Sequence, residues 1–245
     1  MNPATELSTT CLAHLVSRDS LKPDDLENMH LLLSDHFDGV TWEQFQRDVA
    51  EKNWVILMKR SERLVGFSTM LLYETSVDGK PYSIVYSGDT IVAPEAWNTS
   101  TLPRAWIGSV AKLRTLYSHG AYLWLLLTSG FRTYRFLPLF WREFFPRFDF
   151  QTPTHWKRLI DCLGSERFGE QFDPATGVVR FQHPQRLRGP LGVIPPGRKS
   201  DSHIAYFASR NPSHLAGDEL VCLTELSPRN LTPAGSRAAS ATPSW

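Results

Sequence analysis

A chain of 245 residues, with 42% hydrophobic and 12% aromatic side chains, can form one large packed domain or a domain with a substantial appendage. Cys11, Cys162 and Cys222 stand far apart with no Cys/His ligand spacing, which excludes a disulfide framework and a zinc site. The net charge of +1 hides a polarity: residues 1–100 carry 15 acidic and 8 basic side chains, residues 101–245 carry 10 and 18, so the second half suits an anionic partner or complements the first within the fold.

Residues 1–12 read as a loose end, with no basic segment followed by an apolar run. The greasiest stretch, 122–127, is far too short to span a bilayer, and the expected location is the cytoplasm. Pro23, followed by Asp24, Asp25 and Glu27, opens a helix whose Leu26, Met29, Leu33 and Phe37 share one stripe. Thr41-Trp42-Glu43-Gln44 is a capping box for a second helix, with Trp42, Phe45 and Val49 inward. Residues 54–58 and 64–75 read as strands, the second alternating through Val65, Phe67, Thr69, Leu71 and Tyr73. Asp78-Gly79 is a hairpin signal leading into a third strand, 82–92.

A helix over 103–118 and a fully apolar strand at 122–127 follow. The helical crossover predicts that 82–92 and 122–127 pair in parallel. An aromatic, arginine-studded segment runs from Phe131 to Phe150, with a helix interrupted near Pro138. Residues 155–168 read as a helix, 171–199 as loop with a short strand near 178–181, and 204–208 and 219–226 as terminal strands. Residues 227–245, rich in Pro, Ser and Ala, read as a disordered tail.

The segment that carries function is 82–114. A strand ends at Val92, the step Val92-Ala93-Pro94-Glu95 breaks it, a polar loop follows and Pro103 opens a helix. A strand feeding a helix N-terminus in this way presents backbone N–H groups and a positive dipole end to phosphate. The element order and this step resemble the GNAT superfamily of acyl-CoA-dependent N-acyltransferases over roughly residues 12–150. The resemblance implies an α/β (α+β) fold: a mixed, mostly antiparallel sheet with parallel fourth and fifth strands and flanking helices. The expected organisation is a core at 13–150 and a C-terminal extension at 151–226 on the acceptor side.

The chain departs from the family at the loop. Trp97 stands where a basic or amide residue begins it, and Ser100 and Leu102 stand where its glycines fall. A loop with side chains sits farther from a pyrophosphate, which points away from an ordinary acetyltransferase. Family branches that accept acyl chains from an acyl carrier protein relax this loop, so the expected donor is a medium or long acyl-CoA or acyl-phosphopantetheine. On this resemblance Ile91, Val92, Trp97, Asn98, Thr99, Ser100, Thr101 and Arg104 hold the donor, and the acyl chain threads among the aromatics of 122–150.

N-acylation requires a neutral amine, a polarised carbonyl and a protonated leaving thiolate. Asp89 follows Gly88 within a strand, where glycine marks a bulge that redirects side chains, and is the first candidate for general base. Glu95 and Glu74 are further candidates, and Tyr134 is the candidate acid for the thiolate. Arg132, Arg135, Arg142 and Arg147 form either a solvated face or a docking strip for an acidic carrier protein. His14, His30, His36 and His119 form no metal-spaced set, so no metal is expected. Two other readings stand beside the enzyme: a non-catalytic GNAT-like binding module, and nucleic-acid binding through the basic stretch 180–210.

Overall fold

The computed structural model describes residues 10–97 and 99–240. Chain order begins with β1 (Cys11–Ser17), α1 (Pro23–His36), the two-residue β2 (Phe37–Asp38) and α2 (Trp42–Ala50). Pro23 sits in the first turn of α1 with Asp24 and Asp25, and the Thr41 hydroxyl accepts the Gln44 amide at 3.2 Å to start α2. Strands β3 (Trp54–Arg60), β4 (Arg63–Val77) and β5 (Lys80–Val92) then run antiparallel. Asp78 and Gly79, both with positive φ, make the tight β4–β5 turn. Helix α3 (Thr101–Leu113) crosses over to β6 (Ala121–Thr128), which pairs with β5 in parallel.

The C-terminal part holds α4 (Phe131–Tyr134), α5 (Phe136–Phe140) and α6 (Thr154–Phe168). Short strands β7 (Phe172–Asp173), β8 (Val178–Val179) and β9 (Arg186–Leu187) lead to α7 (Ser202–Arg210), β10 (Glu219–Glu225) and α8 (Pro233–Ser240). The large sheet has the order β1-β3-β4-β5-β6-β10-β8-β7, and β2 pairs with β9 in a small second sheet.

Period-two alternation splits the core between the sheet faces. Ile84 and Tyr86 of β5 and Leu123 and Leu125 of β6 pack with Trp156, Leu159 and Leu163 of α6. Val85, Trp124 and Leu126 join Trp106 and Val110 of α3 on the other side. Gly120, with φ +66, lets the chain enter β6 where a Cβ would lie 1.8 Å from the Pro81 carbonyl oxygen. Gly120→Ala is therefore expected to cost at least about 2 kcal/mol in urea unfolding.

Four sequence expectations are corrected. Cys11–Ser17 is an edge strand paired with β3, so the expected loose end gives way to a strand at Cys11, while residues 1–9 lie outside the described residues. The helix expected at 103–118 runs over Thr101–Leu113. Residues 204–208 lie in helix α7, because the Asp201 carboxylate accepts the His203 and Ile204 amides and caps a helix there. Within the expected disordered tail, Pro228–Asn230 forms a 3-10 turn and α8 packs against α3. Among the described residues, no helix is long and apolar enough to cross a membrane.

Candidate active site

The site begins with a fault in the β4–β5 ladder. Ser68 pairs with Thr90 and Met70 with Ser87, so Gly88 and Asp89 together oppose Thr69. This is a β-bulge, which bends the strand and re-aims its side chains. The parallel β5–β6 ladder ends at the same place, its last pair being Ser87 with Leu126. Beyond it β5 runs to Val92 while β6 continues beside β10, with Leu220 opposite Thr128. The two strands part, and a cavity of about 440 Å³ opens at the parting.

Asp89 lies on the cavity wall, as do Lys52, Arg167, His183 and Glu219. Burial pushes the Asp89 carboxyl up to about 6, against the pull of the Lys52 ammonium. Burial, helped by the Asp89 charge, pushes Glu219 up to about 8. Near neutral pH one carboxyl is thus mostly ionised and the other mostly protonated, an arrangement suited to moving protons. Arg167 pairs with Glu51 and stands over the Tyr86 ring, its guanidinium carbon 4.5 Å from the centroid. The small sheet closes the rim: Phe37 pairs with Leu187, and Arg188 pairs with Asp38 at 2.8 Å.

The strand end leads directly to the expected donor loop. The Ala93 amide donates to the Val65 carbonyl at 2.8 Å. By the alternation of an antiparallel ladder, Ile91 faces β4, whereas the Val92 N–H points away from it toward the parting. Trp97 donates its indole N–H to the Val92 carbonyl at 2.7 Å, and the Arg132 guanidinium stands 4.7 Å from its ring centroid. The Thr99 hydroxyl turns back to the Ala96 carbonyl. Ser100 precedes α3 without a side-chain cap; Thr101 and Arg104 lie in the first turn, which carries no acidic residue. Leu102 is buried in the core, so of the two residues at the glycine places only Ser100 has an exposed side chain. Asn98 lies outside the described residues.

The other candidates stand apart. Glu74 accepts the His119 amide at 3.2 Å on an exposed surface, and Glu95 pairs with Arg63 at 3.2 Å. Neither lines the cavity. Tyr134 is fully buried against Phe144 and Phe207, its hydroxyl donating to the Pro146 carbonyl at 2.9 Å. Most of the aromatics expected to form an acyl groove fill the core, whereas Phe148 and Phe150 are exposed. Trp124 packs on Trp106 and Trp141 with ring centroids 4.3 and 4.9 Å away, and its N–H donates to Ser87. The four arginines of the expected docking strip have partners within the chain: Arg132 the Leu191 carbonyl, Arg135 Asp201, Arg142 the Leu231 carbonyl and Arg147 Asp149.

Sequence reasoning missed Lys52 and Glu219. Lys52 follows α2 in a turn clamped by Asn53, whose side-chain amide exchanges hydrogen bonds with the Leu72 carbonyl at 2.7 Å and the Leu72 amide at 2.9 Å. Glu219 opens β10, and only the pairing of β10 with β6 brings it near Asp89.

No protein-family model and no curated protein matches this chain. Solved structures resemble about half of it. A conserved protein of unknown function from Enterococcus faecalis, described as a probable N-acyltransferase, is 16% identical over 52% of this chain and 31% of its own, with a TM-score of 0.41. An acyl-CoA N-acyltransferase from Pseudomonas aeruginosa is 11% identical over 49% of this chain and 80% of its own, TM-score 0.39. N-myristoyltransferase from Saccharomyces cerevisiae, with bound myristoyl-CoA, is 18% identical over 52% and 32%, TM-score 0.37. Likenesses this loose carry no activity across. The antiparallel β3–β4–β5 run, the helical crossover and the parallel β5–β6 pair with flanking helices are by themselves a GNAT-like α/β fold.

Proposed function

We propose that the chain is an N-acyltransferase that moves an acyl group from a CoA or phosphopantetheine thioester to the amine of a small molecule or peptide. The observation that carries this reading is Asp89, placed by a bulge on the wall of a cavity at the parting of two parallel strands. In the proposed reaction the Asp89 carboxylate takes a proton from the acceptor ammonium. The neutral nitrogen attacks the thioester carbon, and the outward Val92 N–H polarises the carbonyl oxygen. The C–S bond breaks, the thiolate must gain a proton, and the new amide nitrogen must shed its surplus one to the acid that has just given its proton up. Tyr134 is occupied elsewhere, and the protonated acid of the cavity is Glu219.

The α3 N-terminus, without a side-chain cap and without acidic neighbours, suits the donor's pyrophosphate or phosphate. The C-terminal extension supplies Arg167, His183 and Glu219 to the cavity and is the proposed acceptor wall. Because the core around Trp124 is filled, we assign a short to medium acyl group rather than a long one.

Thiol release from acetyl-, octanoyl- and palmitoyl-CoA, with a panel of amines, tests both points. Palmitoyl-CoA is expected to show a kcat/KM at least about tenfold below the best donor; palmitoyl as the best donor would remove the chain-length assignment. Thermal stabilisation by CoA without thiol release from any donor would favour a binding module instead.

A further inference from the structure

The cavity contains an ammonium that the acyl-transfer reading leaves unused. Lys52 is almost fully buried, 5% exposed, and its side chain lies across the bulge. A Cβ added to Gly88 would sit 2.6 Å from the Lys52 Cε, 3.3 Å from its Nζ and 2.7 Å from the Thr69 hydroxyl. A side chain at position 88 would have to push the end of Lys52 and the Thr69 hydroxyl aside. The ammonium donates to the Asp48 carbonyl at 2.8 Å and stands 5.4 Å from the centroid of the Tyr86 ring. A buried lysine is costly unless it is paired, so its place directly over the residue before Asp89 calls for a reason.

We propose that Lys52 is a positioning residue of this site: laid across Gly88, its ammonium holds the Asp89 carboxylate ionised and available in the cavity. The inference rests on the acyl-transfer reading for its catalytic meaning, but the link between Lys52 and Asp89 is testable without turnover. Other charges meet this pair from each neighbouring element. Burial pushes the Lys52 ammonium down from its ordinary value; Asp89 favours its charge, Arg167 of α6 opposes it, and Asp48 and Glu51 of the α2 end favour it. Asp48 adds to the burial that raises Asp89, and Asp89 adds to the burial that raises Glu219 of β10. Lys52 is the cation that favours the Asp89 charge, whereas Arg167 is spent on Glu51. A base held between burial and one fixed ammonium accepts a proton near neutral pH and releases it again, which a fully solvated aspartate does poorly.

The test is a carbon-detected NMR titration of the Asp89 carboxyl in the full chain, for the wild type, Lys52→Met, Lys52→Arg and Gly88→Ala. The wild-type midpoint is expected at about 6. Lys52→Met should move it up by roughly one pH unit, and Lys52→Arg should restore most of the difference. Gly88→Ala keeps the charge but pushes the lysine aside, and should move the midpoint the same way; it also serves if Lys52→Met fails to fold. The acid limb of kcat/KM should follow the same shifts, with activity at pH 6 falling about fivefold in Lys52→Met. An Asp89 midpoint unmoved in both Lys52→Met and Gly88→Ala would overturn the proposal. Shifted midpoints in a protein that transfers no acyl group would uphold the Lys52–Asp89 link and remove the acyl-transfer reading.

Discussion

Asp89→Asn is expected to lower kcat/KM for acyl transfer by about 10²- to 10⁴-fold with the fold intact, the usual worth of a positioned general base. Asparagine fills the same space but accepts no proton at working pH. Because burial already raises the Asp89 carboxyl to about 6, neutralising it removes an unfavourable buried charge, and the melting temperature should stay level or rise. The wild-type pH profile carries its own prediction. In the proposed reaction Asp89 acts as a carboxylate, so kcat/KM should fall as pH drops through about 6, and that limb should be missing from the residual activity of the variant. Tyr134→Phe is the matched control: its hydroxyl serves the Pro146 carbonyl, so the substitution should affect stability rather than turnover. An Asp89→Asn enzyme with the wild-type rate would remove Asp89 from the mechanism, whatever the fold.

The part of this site that is legible in the sequence lies along one strand. Gly88-Asp89, the Val92-Ala93-Pro94-Glu95 step and the turn at Asp78-Gly79 are local signals, and β4 and β5 form where they point. Strand β1 is harder to read, because its alternation of buried Cys11 and Ala13 is masked by an exposed Leu12. The run 204–208 is apolar and short, and such runs do not separate strand from helix by periodicity; Asp201, three residues ahead of Ile204, was the signal for a capped helix. Lys52 and Glu219 are illegible for a different reason. Lys52 is a turn residue and Glu219 a strand end, and their chemistry arises only from what the sheet brings beside them. The same limit applies to the arginines after β6, whose spacing reads as a surface strip until each is seen bonded within the chain.

Truncation after Leu226 should destabilise the protein severely, although composition alone marks the removed segment as dispensable. Asn230 is the anchor: its side-chain N–H groups donate to the Glu143 carbonyl, the Thr224 hydroxyl and the Glu225 carbonyl, and its side-chain oxygen accepts the Glu143 amide at 2.8 Å. The Arg142 amide donates to the Asn230 carbonyl at 2.7 Å, and the Thr232 amide to the Phe140 carbonyl at 3.0 Å. Helix α8 then packs on α3, with Ala238 buried and Gly235 so close that a Cβ would lie 2.4 Å from the Phe140 carbonyl oxygen. Losing this segment strands several backbone groups at about 1 kcal/mol each and bares the apolar flank of α3 and α5. A total of roughly 4–8 kcal/mol corresponds to a fall in melting temperature of about 10–20 °C for a chain of this size. Asn230→Ala, which removes only the side-chain contacts, should cost about 2 kcal/mol and locate the anchor. The Asp89 wall lies on other elements, so the point variant should keep the unmodified chain's rate in the same assay below its melting point. A truncated chain that melts within a couple of degrees of the full protein would show that α8 merely rests on the surface.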